Sequence, residues 1–148
     1  MNTKNTKSAQ KKQAPRESQP ATVGDSMDRY KTRDKANVPK RVFLYDPATK
    51  AKTEDWLDVR SSLSDDFREA RDEAMQRASE IAQIANDGER KEALDDSLRA
   101  MYASLIAAWS FDKPCTEQNK KQFLLDAPQI RNMVMAVADD SEAFFAGA

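Results

Sequence analysis

The chain has 148 residues and a mass of 16.7 kDa, the size of one ordinary domain. With 33% charged residues and a mean hydropathy of -0.83, it reads as a soluble protein. Its longest apolar stretch, Met101 to Trp109, is interrupted by Ser104 and falls far short of the roughly 20 residues of a membrane-spanning helix. The absence of histidine excludes a Ser-His-Asp or Cys-His constellation and any His-containing zinc site. A single cysteine, Cys115, excludes an intramolecular disulfide and fits a reducing compartment. Gly24, Gly88 and Gly147, the only glycines, form no Gly-rich phosphate loop.

The net charge of -1 hides a split. Residues 1–41 carry eleven Lys or Arg against Glu17, Asp25, Asp28 and Asp34, a net of +7, which leaves -8 for residues 42–148. The first segment, beginning MNTKNTKSAQKK, has no apolar h-region, so no secretory signal is expected. It also has three of the six prolines and almost no large apolar side chains, too little to offset its ordering entropy. We therefore expect a disordered basic arm over residues 1–40 and a single mostly helical domain over residues 41–148. Such an arm either solubilises the chain, resting on its own acidic body, or reaches a nucleic acid or acidic partner.

From Arg41 the texture changes. Arg41-Val42-Phe43-Leu44-Tyr45 and Trp56-Leu57-Asp58-Val59-Arg60 are β-branched and aromatic, and Asp46-Pro47-Ala48-Thr49 between them signals a turn. They predict a small β-hairpin that needs helices to pack on. Ser64 then reads as a helix N-cap, with Asp65 and Asp66 placed to favour the helix dipole. Phe67, Ala70, Ala74, Ala78, Ile81 and Ala85 recur at helical spacing, flanked by Met75 and Ala82. Asn86-Asp87-Gly88 is expected to stop that helix, with Gly88 in the left-handed terminal position.

A second stripe of Leu94, Leu98, Met101, Leu105 and Ala108, widened by Tyr102, Ile106 and Trp109, predicts a helix running to about Trp109. The two helices would form an antiparallel hairpin. Phe111 to Cys115 breaks the second helix at Pro114, and Thr116 caps a short helix through Phe123, Leu124 and Leu125. Pro128 opens a last helix with the stripe Ile130, Met133, Val134 and Val137, ending near Asp139. The expected fold class is mainly α: a small N-terminal β-hairpin followed by a four-helix, hairpin-containing body, with a disordered N-terminal arm.

Chemistry is sparse. Asp65-Asp66, Asp95-Asp96 and Asp139-Asp140 are carboxylate pairs, but adjacent helical residues diverge by about 100° and do not converge on a metal or substrate. Caps and solvated faces account for them, Asp95 having Arg99 four residues on. Cys115, between Pro114 and a helix N-cap, sits where a thiol pKa can fall, yet it has no histidine base. We expect no catalytic, cofactor-binding or metal-binding residue. The aromatic residues Trp56, Trp109, Phe111, Phe144 and Phe145 lie in or beside element ends. Either they close the ends of a small core or they anchor a partner.

These residues carry a resemblance. Leu44 to Thr49, then Trp56 to Arg60, then Ser64-Asp65-Asp66-Phe67-Arg68 resembles the front half of tail assembly chaperones of long-tailed, siphovirus-like bacteriophages. Leu105 to Ser110, Pro114 to Asn119, Leu124 to Pro128 with Ile130, and the terminal Phe144-Phe145 resemble the second half, so the likeness spans about residues 43 to 146. The ordered series of these motifs is what resembles the family. The resemblance implies a non-enzymatic protein that binds the tape-measure protein and helps recruit tail-tube subunits in the host cytoplasm. It also implies absence from the finished virion and, in many members, a longer frameshifted form.

The basic arm departs from that pattern. It keeps two alternatives in view: a minor virion component of the tail, and a small nucleic-acid-binding protein acting through the arm. Nucleic acid ranks last, because Tyr30 is the only aromatic in the arm and the body is acidic. The acidic body and basic arm also admit self-association of neighbouring copies. No cofactor and no membrane partner is expected.

Overall fold

Alternation along two strands sets the architecture. Val42 and Leu44 in β1 (Lys40–Tyr45), with Leu57 and Val59 in β2 (Lys52–Val59), turn to one side and are buried or half-buried. Arg41, Phe43, Tyr45, Trp56 and Asp58 turn to the other. The computed structural model describes residues 23–146, so the part of the expected arm that precedes residue 23 lies outside the described residues.

The strands pair antiparallel with Phe43 opposite Trp56. Their connection is held by Asp46, whose side chain accepts from the amides of Ala48 and Thr49 at 2.8 and 3.0 Å. Lys50 closes the turn in the left-handed region, at φ 67°.

The chain divides after Thr32. The described part of the first unit contains α1 (Val23–Asp28) and an exposed Lys31–Asp28 ion pair. The second unit begins at Arg33, eight residues before the start expected from the sequence. Its first element, α2 (Arg33–Ala36), buries Ala36 and ties itself to the start of α3 (Asp65–Ala82). Arg33 donates to both Asp65 carboxylate oxygens at 3.0–3.2 Å. Asn37 donates to Asp65 and accepts from its amide. Too few apolar residues mark this short helix; a polar tether places it.

Ser64 caps α3 as expected, accepting from the Phe67 amide. Three expectations about the next stretch need correction. Asn86-Asp87-Gly88 does not stop α3, which ends at Ala82; it starts α4 (Asp87–Ala103). The Asn86 side chain accepts from the Glu89 amide at 2.9 Å, and Gly88 lies in the first helical turn. The α3 stripe is cut short: the helix ends before Ala85, which lies in the connection, and of the stripe Phe67 alone is buried while Ala78 is exposed. Small side chains let α3 and α4 approach but cover little surface.

Third, α4 stops at Ala103, and Ile106–Trp109 forms a strand, β3, rather than further helix. The sheet order is β1-β2-β3, with Leu57 opposite Trp109. Long-range bonds override the helical periodicity here. Arg60 donates from its amide to the Leu105 carbonyl at 2.7 Å and from its guanidinium to the Ser104 carbonyl at 2.6 Å. At the other end, the Ser110 amide donates to the Trp56 carbonyl and the Ser110 hydroxyl accepts from the Trp56 amide.

Two further helices, α5 (Glu117–Asp126) and α6 (Pro128–Ala138), cover the buried sheet face. Thr116 caps α5 and Pro128 opens α6, as the sequence predicts. Leu57, Val59, Leu105, Ile106, Leu124 and Val134 form the centre of the core. The chain continues through α7 (Ser141–Phe145), packed near α2. No helix among the described residues is long and apolar enough to cross a membrane.

Truncating fully buried Leu57 to Ala is expected to cost about 2–5 kcal/mol, against about 0.5 kcal/mol or less for exposed Leu125, read as shifts in denaturant midpoint. The Arg33 and Asn37 hydrogen bonds hold the Asp65 carboxyl below its ordinary value. Its contribution to stability is present above the ordinary carboxylate range and is lost as pH falls through the depressed value. The midpoint difference between wild type and Asp65→Asn should therefore shrink as pH is lowered from about 6 to about 2.

Candidate functional site

The five aromatic residues singled out in the sequence separate into three places. Trp109, on β3, is 9% exposed and meets Phe111 and Phe123 edge-to-face, with ring centroids 5.4 and 5.8 Å away. Phe111 and Phe123 complete the triangle at 5.3 Å. The Trp109 indole N–H donates to the Lys113 carbonyl at 2.7 Å, so its polar edge is satisfied. Pro114 and Thr116 set the return that brings α5 over this strand, and Phe123 enters from α5. The triangle borders a shallow cleft of about 250 Å³ whose rim includes Asn119, Gln122 and Asp126.

Phe144 is 4% exposed in α7, and Phe145 beside it is half-buried, with ring centroids 6.5 Å apart. Asp140 caps this last turn by accepting from the Ala143 amide.

Trp56 stands apart from both groups, on the outward sheet face. The Arg41 guanidinium lies 3.5 Å from its ring centroid while donating to both Asp58 oxygens at 2.9 and 3.2 Å. Beside it, Phe43 and Tyr45 are 41% and 59% exposed, and Lys52 lies 4.9 Å from the Phe43 ring centroid. Trp109 and Phe111 are thus brought together, Phe144 and Phe145 are neighbours by sequence, and Trp56 joins neither pair. Phe43, Tyr45 and Phe123 complete these groups; alternation and helical spacing mark them, but only pairing and packing reveal their neighbours.

Several titratable groups are engaged in structural contacts. Asp66 pairs with Arg60 at 2.9 Å. Asp96 receives Lys121 at 3.0 Å and Arg99 at 3.7 Å, so Arg99 reaches Asp96 and not the expected Asp95. Burial pushes the Cys115 thiol up, outweighing nearby Lys120 and Arg60, which keeps it a thiol at neutral pH. Its position before the Thr116 helix cap therefore does not lower it. Burial pushes the Lys120 ammonium down, and its Nζ donates to the Ile106 carbonyl at 2.9 Å. Among the described residues, no three Cys, Asp or Glu side chains gather as a metal site requires.

No protein-family model, curated protein or solved structure matches this chain.

The α3–α4 hairpin is the part of the described residues that is least covered by neighbouring elements. Between residues 71 and 95 no side chain is fully buried, and Met75 and Leu94 are 67% and 45% exposed. Met75 within a highly charged helix was the available signal.

Because Trp109 is packed and hydrogen-bonded, Trp109→Ala is expected to cost about 3–5 kcal/mol, measured by denaturation. Trp109→Phe, which loses the bond to Lys113, should cost less than the alanine variant and include a loss of about 1 kcal/mol for that bond.

Proposed function

We propose that this chain is a non-enzymatic tail assembly chaperone of a long-tailed bacteriophage. In this reading it binds the tape-measure protein, helps recruit tail-tube subunits in the host cytoplasm, and is absent from the mature virion. The observation that carries the proposal is the α3–α4 hairpin, where Met75 and Leu94 are exposed and no side chain between residues 71 and 95 is buried. A tape measure is a long helical protein with apolar stripes, and a two-helix surface is suited to receive one. The ordered motif series from Leu44 to Phe145 supports the same reading.

The four longer helices, α3 to α6, serve here as the working body on the β1–β2 hairpin. The basic residues of the N-terminal segment, +7 net over residues 1–41, give neighbouring copies an electrostatic means to associate. Contact with a tape measure must be displaceable when the tube assembles, which suits a modest apolar centre with a charged rim.

Co-expression with the tape-measure and tail-tube proteins of the same genome tests the proposal. Pull-down and size exclusion should give a soluble tape measure co-eluting with several copies of this chain. Failure of both partners to bind, with nucleic acid co-purifying at low salt, would overturn it. Recovery of the chain from purified particles would instead favour the virion-component reading.

A further inference from the structure

The hairpin has two unlike flanks. On one, Ala78, Ile81, Ala82 and Leu94 line a shallow cleft of about 470 Å³ between α3 and α4. Met75, one turn before Ala78, extends this seam along α3, and half-buried Leu98 and Tyr102 follow Leu94 at four-residue spacing along α4. Leu94 to Tyr102 covers about 12 Å of helix, the span of three successive anchor positions on a facing helix.

Charge differs between the flanks as well. Arg90 at the cleft mouth is engaged with Asp87 and the Ile84 carbonyl. Lys91 has no carboxylate within 4.0 Å among the described residues, and Arg71 reaches its neighbour Asp72 at 4.0 Å. Arg131 lies over the Tyr102 ring at 4.4 Å, adding a cation at the other end of the stripe. Against these three cations stand Asp72 and Asp95. The other cleft between α3 and α4 carries Asp66, Glu69, Glu73 and Glu117 against Arg60, Arg77 and Lys120, and the outer face of α4 carries Glu89, Glu92 and Asp96. Residues 42–148 carry a net charge of -8, and the apolar flank is the one with a cationic excess.

We propose that the Met75–Leu94–Tyr102 seam receives one amphipathic partner helix whose apolar stripe is edged by Asp or Glu, making a three-helix arrangement with α3 and α4. This rests on the chaperone reading for the partner's identity and names the chemistry by which that partner is selected. Apolar contacts provide attachment, and Arg71, Lys91 and Arg131 set register and discriminate against basic helices. A second copy docked through the same flank would bring these cations together, which disfavours self-pairing there.

The probes are two fluorescein-labelled 21-residue helical peptides with the same leucine stripe, one edged by Glu and one by Lys, titrated into the full chain by anisotropy. The Glu-edged peptide should bind about tenfold tighter than the Lys-edged one. Arg71→Glu with Lys91→Glu should reverse that order, and Leu94→Asp should abolish binding of both. Circular dichroism and thermal unfolding of these surface variants establish that each remains folded. Equal binding of the two peptides, or none, overturns the proposal. So does loss of self-association in the Leu94→Asp chain without peptide, which would assign the seam to a contact between copies.

Tape-measure pull-down is read separately. Capture of the tape measure with neither peptide bound leaves the chaperone reading and removes this seam from it. Selective Glu-peptide binding without tape-measure capture does the reverse.

Discussion

Strand β2 is the constraint on which the rest of the body depends. It lies between β1 and β3 and presents Leu57 and Val59, both fully buried, to the helices below. The residue that follows, Arg60, ends the strand by binding the Ser104 and Leu105 carbonyls, and its guanidinium also meets Asp66 at the start of α3. One short segment thus fixes where α3 begins, where α4 ends and where the chain turns back into β3. An arginine suits this junction because its planar fork can serve a carboxylate and a carbonyl simultaneously.

That arrangement concentrates packing at one end of the molecule's helical hairpin. Near the sheet, Phe67, Ser97 and Ala103 are buried; α3 has α4 as its one substantial helix neighbour, while α4 also packs on α5, and between residues 71 and 95 no side chain is buried. Alanines at the contact reduce the apolar area that the pair can cover. Helices of this length gain most of their stability from packing, so open side chains along the hairpin leave room for a partner to add to it. The same division sets the Trp109 triangle at the packed end and exposed Met75 and Leu94 at the open one.

The outward sheet face follows another logic. Trp56 is covered by Arg41, which is itself held by Asp58, so a large aromatic is shielded without being buried in the core. Lys40 and Arg41 on outer strand β1 also place charge along a sheet edge, a feature that disfavours unwanted strand pairing.

The sequence by itself determined the local starts and periods. Ser64 and Thr116 are caps because their hydroxyls reach free amides, Pro128 suits a first helical position, and alternation identifies the buried faces of β1 and β2. It also made the absence of histidine chemistry certain. Tertiary structure decided the rest. Ile106–Trp109 continues a helical pattern locally, yet β2 offers a ladder and Arg60 captures the preceding carbonyls. Asn86-Asp87-Gly88 contains residues suited to both a helix stop and a start, and the Asn86 bond to Glu89 selects the start. The α3 stripe gave a helical face, but periodicity does not report what covers that face. Only the placement of neighbouring elements buried Trp109 and left Met75 open, since burial is a property of the assembled surfaces rather than of either residue type.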